Sequence, residues 1–100
     1  MTAAERSAPT ADIVIVNWNT GRYLGDCLRS IAATDRSLLR VTRIVVVDNA
    51  STDDSLHGLT AGDTVRGIPL DVVRNPRNRG FAAACNQGAA RGGGDYVLFL

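Results

Sequence analysis

Four short apolar runs divide this chain, each bounded by polar or glycine-rich sequence. Ile13-Val14-Ile15-Val16 and Ile44-Val45-Val46-Val47 are β-branched throughout. Apolar runs without polar alternation mark strands covered on both faces. They predict strands over Asp12–Asn17, from Thr42 or Arg43 to Asp48, over Leu70–Arg74 and over Asp95–Leu100. Between the first two, Leu24, Cys27, Leu28 and Ile31 fall at i, i+3, i+4 and i+7, one apolar face of a helix. Arg22, Asp26 and Arg29 take the other face. Asn19-Thr20-Gly21 breaks the strand before it, and Thr20 is its predicted N-cap. The helix ends at a polar break near Asp35-Arg36.

Ser51-Thr52-Asp53-Asp54 has the spacing of a capping box and predicts a short helix, Asp53–Leu59, weakened by Gly58 and Gly62. Gly67-Ile68-Pro69 reads as a turn and Asn75–Gly80 as a polar loop. Phe81–Ala90 is predicted helical, with Phe81, Ala84, Cys85 and Gly88 on one face small enough to approach a sheet closely. Gly92-Gly93-Gly94 ends it. The order β-α-β-α-β-α-β predicts an α/β fold with a parallel, Rossmann-like sheet and right-handed crossovers. Residues 1–11 are predicted to form a disordered leader and 12–100 one unit. The last strand is fully apolar and stops at its carboxyl end, where such sheets place ligands. The chain therefore reads as incomplete, truncated after the fourth strand.

Composition narrows the functional classes. An apolar fraction of 45% is that of a globular chain, and a net charge of +1 gives no nucleic-acid patch. All 11 basic residues are Arg, which provides planar forks suited to phosphate but no amine for a Schiff base or a P-loop. Cys27 and Cys85 are far apart and form no CxxC, so they read as buried thiols of a reducing compartment. No signal peptide and no run of membrane-spanning length is present. These features predict a cytoplasmic chain without a transmembrane segment, with peripheral attachment at the inner face of the membrane as the alternative. His57 has no nucleophile or acid at catalytic spacing and reads as a surface residue. The chain offers no Ser-His-Asp or zinc-ligand set.

The candidate chemistry lies at the strand ends. After the first strand, the amides of Asn17 and Asn19 could bond a base or ribose and Trp18 could stack; equally, they could satisfy a turn and pack under a loop. After the second, the Asp48 carboxylate could accept from a ring N–H or a ribose hydroxyl, with Asn49 beside it. The other role for Asp48 is a turn or cap acid, a task that Ser51–Asp54 already fill in the predicted helix. After the third, Asn78, Arg79 and Gly80 stand at the mouth of a helix, a setting that favours anions. Arg74, Arg77 and Arg79 form a basic edge there, or a solvated loop. Asn86 is a poor helix former inside a helix.

Three segments together resemble the family 2 glycosyltransferases of GT-A fold. They are Val14-Ile15-Val16-Asn17-Trp18-Asn19, Val46-Val47-Asp48-Asn49-Ala50-Ser51-Thr52-Asp53, and Asn75-x-x-Asn78-x-Gly80-Phe81-x-x-Ala84-x-Asn86-x-Gly88. The Asn-Trp-Asn and Asp-Asn-Ala-Ser forms look most like rhamnosyltransferase-type members that build cell-wall or surface polysaccharide. The resemblance implies the N-terminal, nucleotide-binding half of a GT-A nucleotide-diphospho-sugar transferase fold. It implies a dTDP- or UDP-sugar donor and a glycan or lipid-linked acceptor. Asn17, Trp18, Asn19, Asp48, Asn49, Arg77, Asn78, Arg79 and Gly80 would meet the nucleotide. In the intact family a carboxylate base and Mg²⁺ or Mn²⁺ support inverting transfer. The metal motif would follow Leu100, and no catalytic or metal-binding residue is assigned within this chain.

Two other classes compete. A dehydrogenase also ends its second strand in an acid but needs Gly-x-Gly-x-x-Gly after the first, whereas Asn17–Gly21 holds one glycine. A receiver-type phospho-switch needs an acidic pair and a Lys, and neither is present. The non-enzyme alternative is a truncated or regulatory α/β module that binds a nucleotide or a partner chain without turnover.

Overall fold

The computed structural model describes residues 8–34, 39–60 and 62–100. Its elements run β1 (Thr10–Asn17), α1 (Tyr23–Ala33), β2 (Arg40–Asp48), β3 (Thr64–Val65), β4 (Ile68–Arg74), α2 (Phe81–Ala89) and β5 (Tyr96–Phe99). The described strands form one five-stranded sheet in the order β3-β4-β2-β1-β5. β1 pairs in parallel with β2 and β5, and β2 with β4.

Alternation along the central strands divides the core in two. Ile13, Ile15, Ile44 and Val46 pack with Leu24, Leu28 and Ile31 of α1. Val14, Val45 and Val47 face the other way and pack with Ala84 of α2. The apolar runs carry no polar alternation because both faces are covered. The predicted face of α1 is the one buried, with Cys27 half-buried at its margin. Burial raises the Cys27 thiol pKa above its ordinary value. On α2, Ala84 and Gly88 are buried, whereas Phe81 is exposed.

Several predicted elements differ. Residues 53–58 form turns and no helix: His57 N donates to Asp54 O, and Leu59 N to Leu56 O, without continuing. Ser51–Asp54 therefore cap no helix; Ser51, Thr52 and Asp53 bond instead to Asn17, Asn19 and Gly21 at the end of β1 and in the loop after it, and Ser51 also bonds to Asp48 and Asp53 to Ser55 nearby. The N-cap of α1 is Arg22 without a side-chain cap, because the Thr20 hydroxyl donates to Asn17 Oδ1 instead. The sheet is mixed, since β3 runs antiparallel to β4. Arg66 and Gly67 both have positive φ, 48° and 83°, as a two-residue primed hairpin turn requires. Pro69, read from the sequence as part of a turn, lies inside β4 opposite Thr64. β1 begins at Thr10, with Ala11 buried, so the predicted leader is too long at its end; its residues 1–7, and the break at Asp35-Arg36, lie outside the described residues.

The apolar run of β1 also begins with a buried acid. Asp12 accepts from Gly94 N at 2.9 Å and from Thr42 Oγ1 at 3.4 Å. Asp95 accepts from Thr10 N at 2.9 Å. A Cβ at Gly92 would overlap the Asp12 carboxylate. These two carboxylates fix the start of β5 against β1. Among the described residues no helix is long and apolar enough to cross a membrane.

Candidate functional site

Parallel pairing brings the carboxyl ends of three strands into one row. Asn17 is the register partner of Asp48, and Asp48 of Arg74. The ladder runs one step further, with Asn49 N donating to Asn17 O and Asn75 N to Asp48 O, at 2.9 and 2.8 Å. Polar side chains thus replace the apolar run just where the sheet ends. Asn17, Asp48, Asn49 and Asn75 are all buried. Buried polar groups need partners, and each has them.

The Asp48 carboxylate accepts at Oδ1 from Asn17 Nδ2 (2.9 Å) and Ser51 Oγ (2.6 Å), and at Oδ2 from Ser51 N (3.0 Å). The sequence left Asp48 without a structural task; Ser51 supplies one, because its hydroxyl and amide close an Asx-type turn on the acid. Asn17 also donates to Ser55 Oγ at 2.9 Å. Asn19, at φ 50°, accepts at Oδ1 from Thr52 N at 2.7 Å and Asp53 N at 3.2 Å. Its own N–H donates to Ser51 Oγ. Asp53 Oδ2 accepts from Gly21 N at 2.9 Å, and Oδ1 from Ser55 Oγ at 2.6 Å. The Ser55 hydroxyl, then the Ser55 and Gly21 amides, hold the Asp53 pKa below its ordinary value. The loops after β1 and β2 are in this way locked together.

Asn49 bridges to the third loop, donating to Gly80 O at 3.1 Å and accepting from Arg79 N at 3.3 Å. Asn78 Oδ1 accepts from Gly80 N at 2.8 Å. The side chains left facing solvent are Trp18, at 55% exposure, together with Arg77, Asn78 and Arg79. Arg74 departs from the predicted basic edge, its guanidinium donating to Leu59 O at 3.4 Å. His57 is exposed.

The predicted residues therefore fall into two groups along one edge. Asn17, Asn19, Asp48 and Asn49 shape the loops, while Trp18, Arg77, Asn78 and Arg79 are exposed to solvent. Sequence reasoning missed Ser51, Ser55 and Gln87 as partners. The contacts of Ser51 and Ser55 with Asn17 span 34 and 38 residues and that of Gln87 with Asn75 spans 12, and no local spacing encodes these. Among the described residues no group of three His, Cys, Asp or Glu side chains could hold a metal ion. The residues present do not fit the divalent ion that the resemblance implies, and no chemistry through one is assigned to them.

An open α/β sheet with polar groups gathered outside its carboxyl strand ends is the arrangement in which such folds place their ligand sites. The sequence matches Glycosyl transferase family 2 over residues 12–100, and the chain belongs to that family. It is 37% identical over 90 residues to succinoglycan biosynthesis protein ExoU of Rhizobium meliloti, covering 90% of this chain and 24% of that protein. It is 36% identical over 88 residues to an undecaprenyl-phosphate 4-deoxy-4-formamido-L-arabinose transferase of Pseudomonas paraeruginosa, covering 88% of this chain and 26% of the relative. The chain thus spans about a quarter of the length of the curated relatives it matches. Among solved structures it is similar to a mannosyltransferase of Pyrobaculum calidifontis, in complex with GDP-Man and Mn²⁺, with a TM-score of 0.73 and 26% identity. That match covers 90% of this chain and 26% of the other. The fold is that of the N-terminal portion of GT-A glycosyltransferases.

Proposed function

We propose that this chain supplies nucleotide recognition to a family 2 glycosyltransferase that moves a sugar from a nucleotide-diphospho-sugar to a polysaccharide or glycolipid acceptor. The observation that carries the reading is the convergence of Asn17, Asp48, Asn49 and the Arg77–Gly80 loop at one sheet edge. On this reading Trp18 offers its exposed face to the base. Asn19 and Gly80 shape the loops on either side. Asp48 and Asn17 border the ribose, and Arg77, Asn78 and Arg79 approach the diphosphate, which guanidinium forks suit. The Asn-Trp-Asn and Asp-Asn-Ala-Ser variants support a dTDP- or UDP-linked donor of rhamnosyl type. The curated relatives' names support a glycan or lipid-linked acceptor. The mannosyltransferase complex supports use of Mg²⁺ or Mn²⁺ by the whole enzyme.

The bond-breaking step is not assigned to these residues. A base must accept the acceptor hydroxyl proton, and the buried carboxylate of Asp48 is committed to Ser51 and Asn17. We therefore expect the 100-residue chain to bind nucleotide without transferring sugar. The test is a ¹⁵N-HSQC titration with UDP, dTDP, GDP and NAD. Specific shifts at residues 17–19, 48–49 and 77–80 with one of the first three would support the reading and identify the base. A folded chain indifferent to all four would overturn it in favour of a non-catalytic module. Asp48→Ala also loosens the turn at Ser51, so Trp18→Ala and Arg79→Ala, at exposed positions, separate lost contact from lost shape.

A further inference from the structure

Behind the ligand-facing edge lies a chain of three amides whose direction the backbone dictates. Asn49 Nδ2 donates to Gly80 O, and its Oδ1 accepts from Arg79 N. A peptide carbonyl only accepts and a peptide N–H only donates, so these contacts orient the Asn49 amide without ambiguity. That Oδ1 also accepts from Asn75 Nδ2 at 3.0 Å. Asn75 must then turn its own oxygen towards Gln87, and it accepts there from Nε2 at 2.8 Å. The second Asn75 proton completes a reciprocal pair with Gln87 Oε1 at 2.7 Å.

We propose that Asn49, Asn75 and Gln87 are positioning residues that set the backbone of residues 76–80, and with it the placement of Arg77, Asn78 and Arg79. Through this relay the ends of β2 and β4 and the body of α2 all bear on one loop. Gly80, at φ 85°, is held from both sides, its carbonyl by Asn49 and its N–H by Asn78. Gln87 lies on α2, beyond the first turn, and holds Asn75 in that orientation through the reciprocal pair. The effect on nucleotide binding rests on the reading of the site given above; the effect on the loop does not.

The test uses the 100-residue chain, first without ligand. Gln87→Leu removes both arms of the reciprocal pair. Asn75→Asp keeps the shape but sets an acceptor against Asn49 Oδ1 and Gln87 Oε1. The exchange Asn75→Gln with Gln87→Asn keeps two amides and their combined length. We expect each single change to speed hydrogen exchange at Arg79 N by about tenfold, a buried hydrogen bond's worth, and to shift the Arg79 and Gly80 resonances. Amides of β1 and β2 should keep their protection, and the exchanged pair should recover the loop. Unchanged Arg79 and Gly80 signals in folded Gln87→Leu and Asn75→Asp would overturn the proposal. So would an equal loss of protection throughout the chain, which would make the relay a general brace. UDP, dTDP and GDP titrations follow. If the wild type binds, the single variants should weaken binding by about tenfold and the exchanged pair should restore it. A loop that responds as expected in a chain that binds no nucleotide would support the positioning relay while overturning the nucleotide reading.

Discussion

At the scale of single residues, a carboxylate does different work according to where its oxygens end. Asp53 is exposed, and its carboxylate joins the loop after β1 to the turn after β2. The Ser55 hydroxyl foremost, and the Ser55 and Gly21 amides after it, lower its folded pKa. A lowered folded pKa means that the tie is present above the ordinary carboxylate range and is lost as pH falls through the lower folded value. We expect the Gly21 and Ser55 amide resonances to hold steady from neutral pH down through that range and to move only below it. Asp53→Asn should abolish this acid limb. An Asp53 carboxyl titrating at or above its ordinary value, followed by ¹³C NMR, would contradict the assignment. These side chains also mark the limit of the sequence. Ser, Thr and Asp at positions 51–54 are the residue types of a helix cap and of Asx and Ser/Thr turns alike. Only the partners, Asn17, Asn19 and Gly21, decide between the two. The place of Asp48 at the carboxyl end of β2 was legible from the apolar run before it; that Ser51 closes a turn on it was not.

At the scale of elements, the same substitution takes opposite signs in the two helices. Gly88 of α2 lies against β1 and β2, where a Cβ would overlap Val14 Cγ1 and come within 3.2 Å of Val47 Cγ2. Both valines are buried and have no free direction in which to retreat. Gly88→Ala should cost about 1–3 kcal/mol through overpacking, more than the ~1 kcal/mol gained in helix propensity. At Gly25 of α1 the nearest atom to a new Cβ is Arg29 Nη1, 3.3 Å away at the end of a flexible, exposed side chain. Gly25→Ala should therefore stabilise by about 0.5–1 kcal/mol. Urea denaturation of the two variants checks both signs; a stabilised Gly88→Ala would disprove the close approach of α2 to the sheet. The close approach was legible, because Ala84 and Gly88 fall on one helical face. The central strands were legible because burial on both faces leaves an unbroken apolar run. β3 was not, since two residues carry no periodicity and the turn that creates it lies one residue before the Gly67-Ile68-Pro69 signal.

At the scale of the whole molecule, the sheet is unevenly finished. At one edge β3 closes β4 with a hairpin of two residues per strand, short enough to offer little pairing surface. At the other edge β5 pairs with β1 alone among the described strands, and its side chains are exposed on both faces, Tyr96 at 63%, Leu98 at 47% and Phe99 at 46%. An apolar groove of about 290 Å³ beside it is lined by Ile13, Ile31, Leu39, Val41, Leu98 and Leu100. Asp12 and Asp95 tie the start of this strand, so it stands as a formed edge, with no strand on its outer side among the described residues, rather than a frayed end. β5 is only four residues long, but an exposed apolar edge of this kind still offers a surface for pairing with other chains. The isolated 100-residue chain should accordingly self-associate as concentration rises, followed by sedimentation velocity. Leu98→Lys and Phe99→Glu place charge on opposite faces of the edge and should each shift the chain towards monomer. Because both side chains are half exposed already, thermal stability measured in dilute solution should change little, by less than about 0.5 kcal/mol. Undiminished association in both variants would move the contact elsewhere; a large loss of stability would mean that β5 is packed rather than open, and the edge would have to be redrawn.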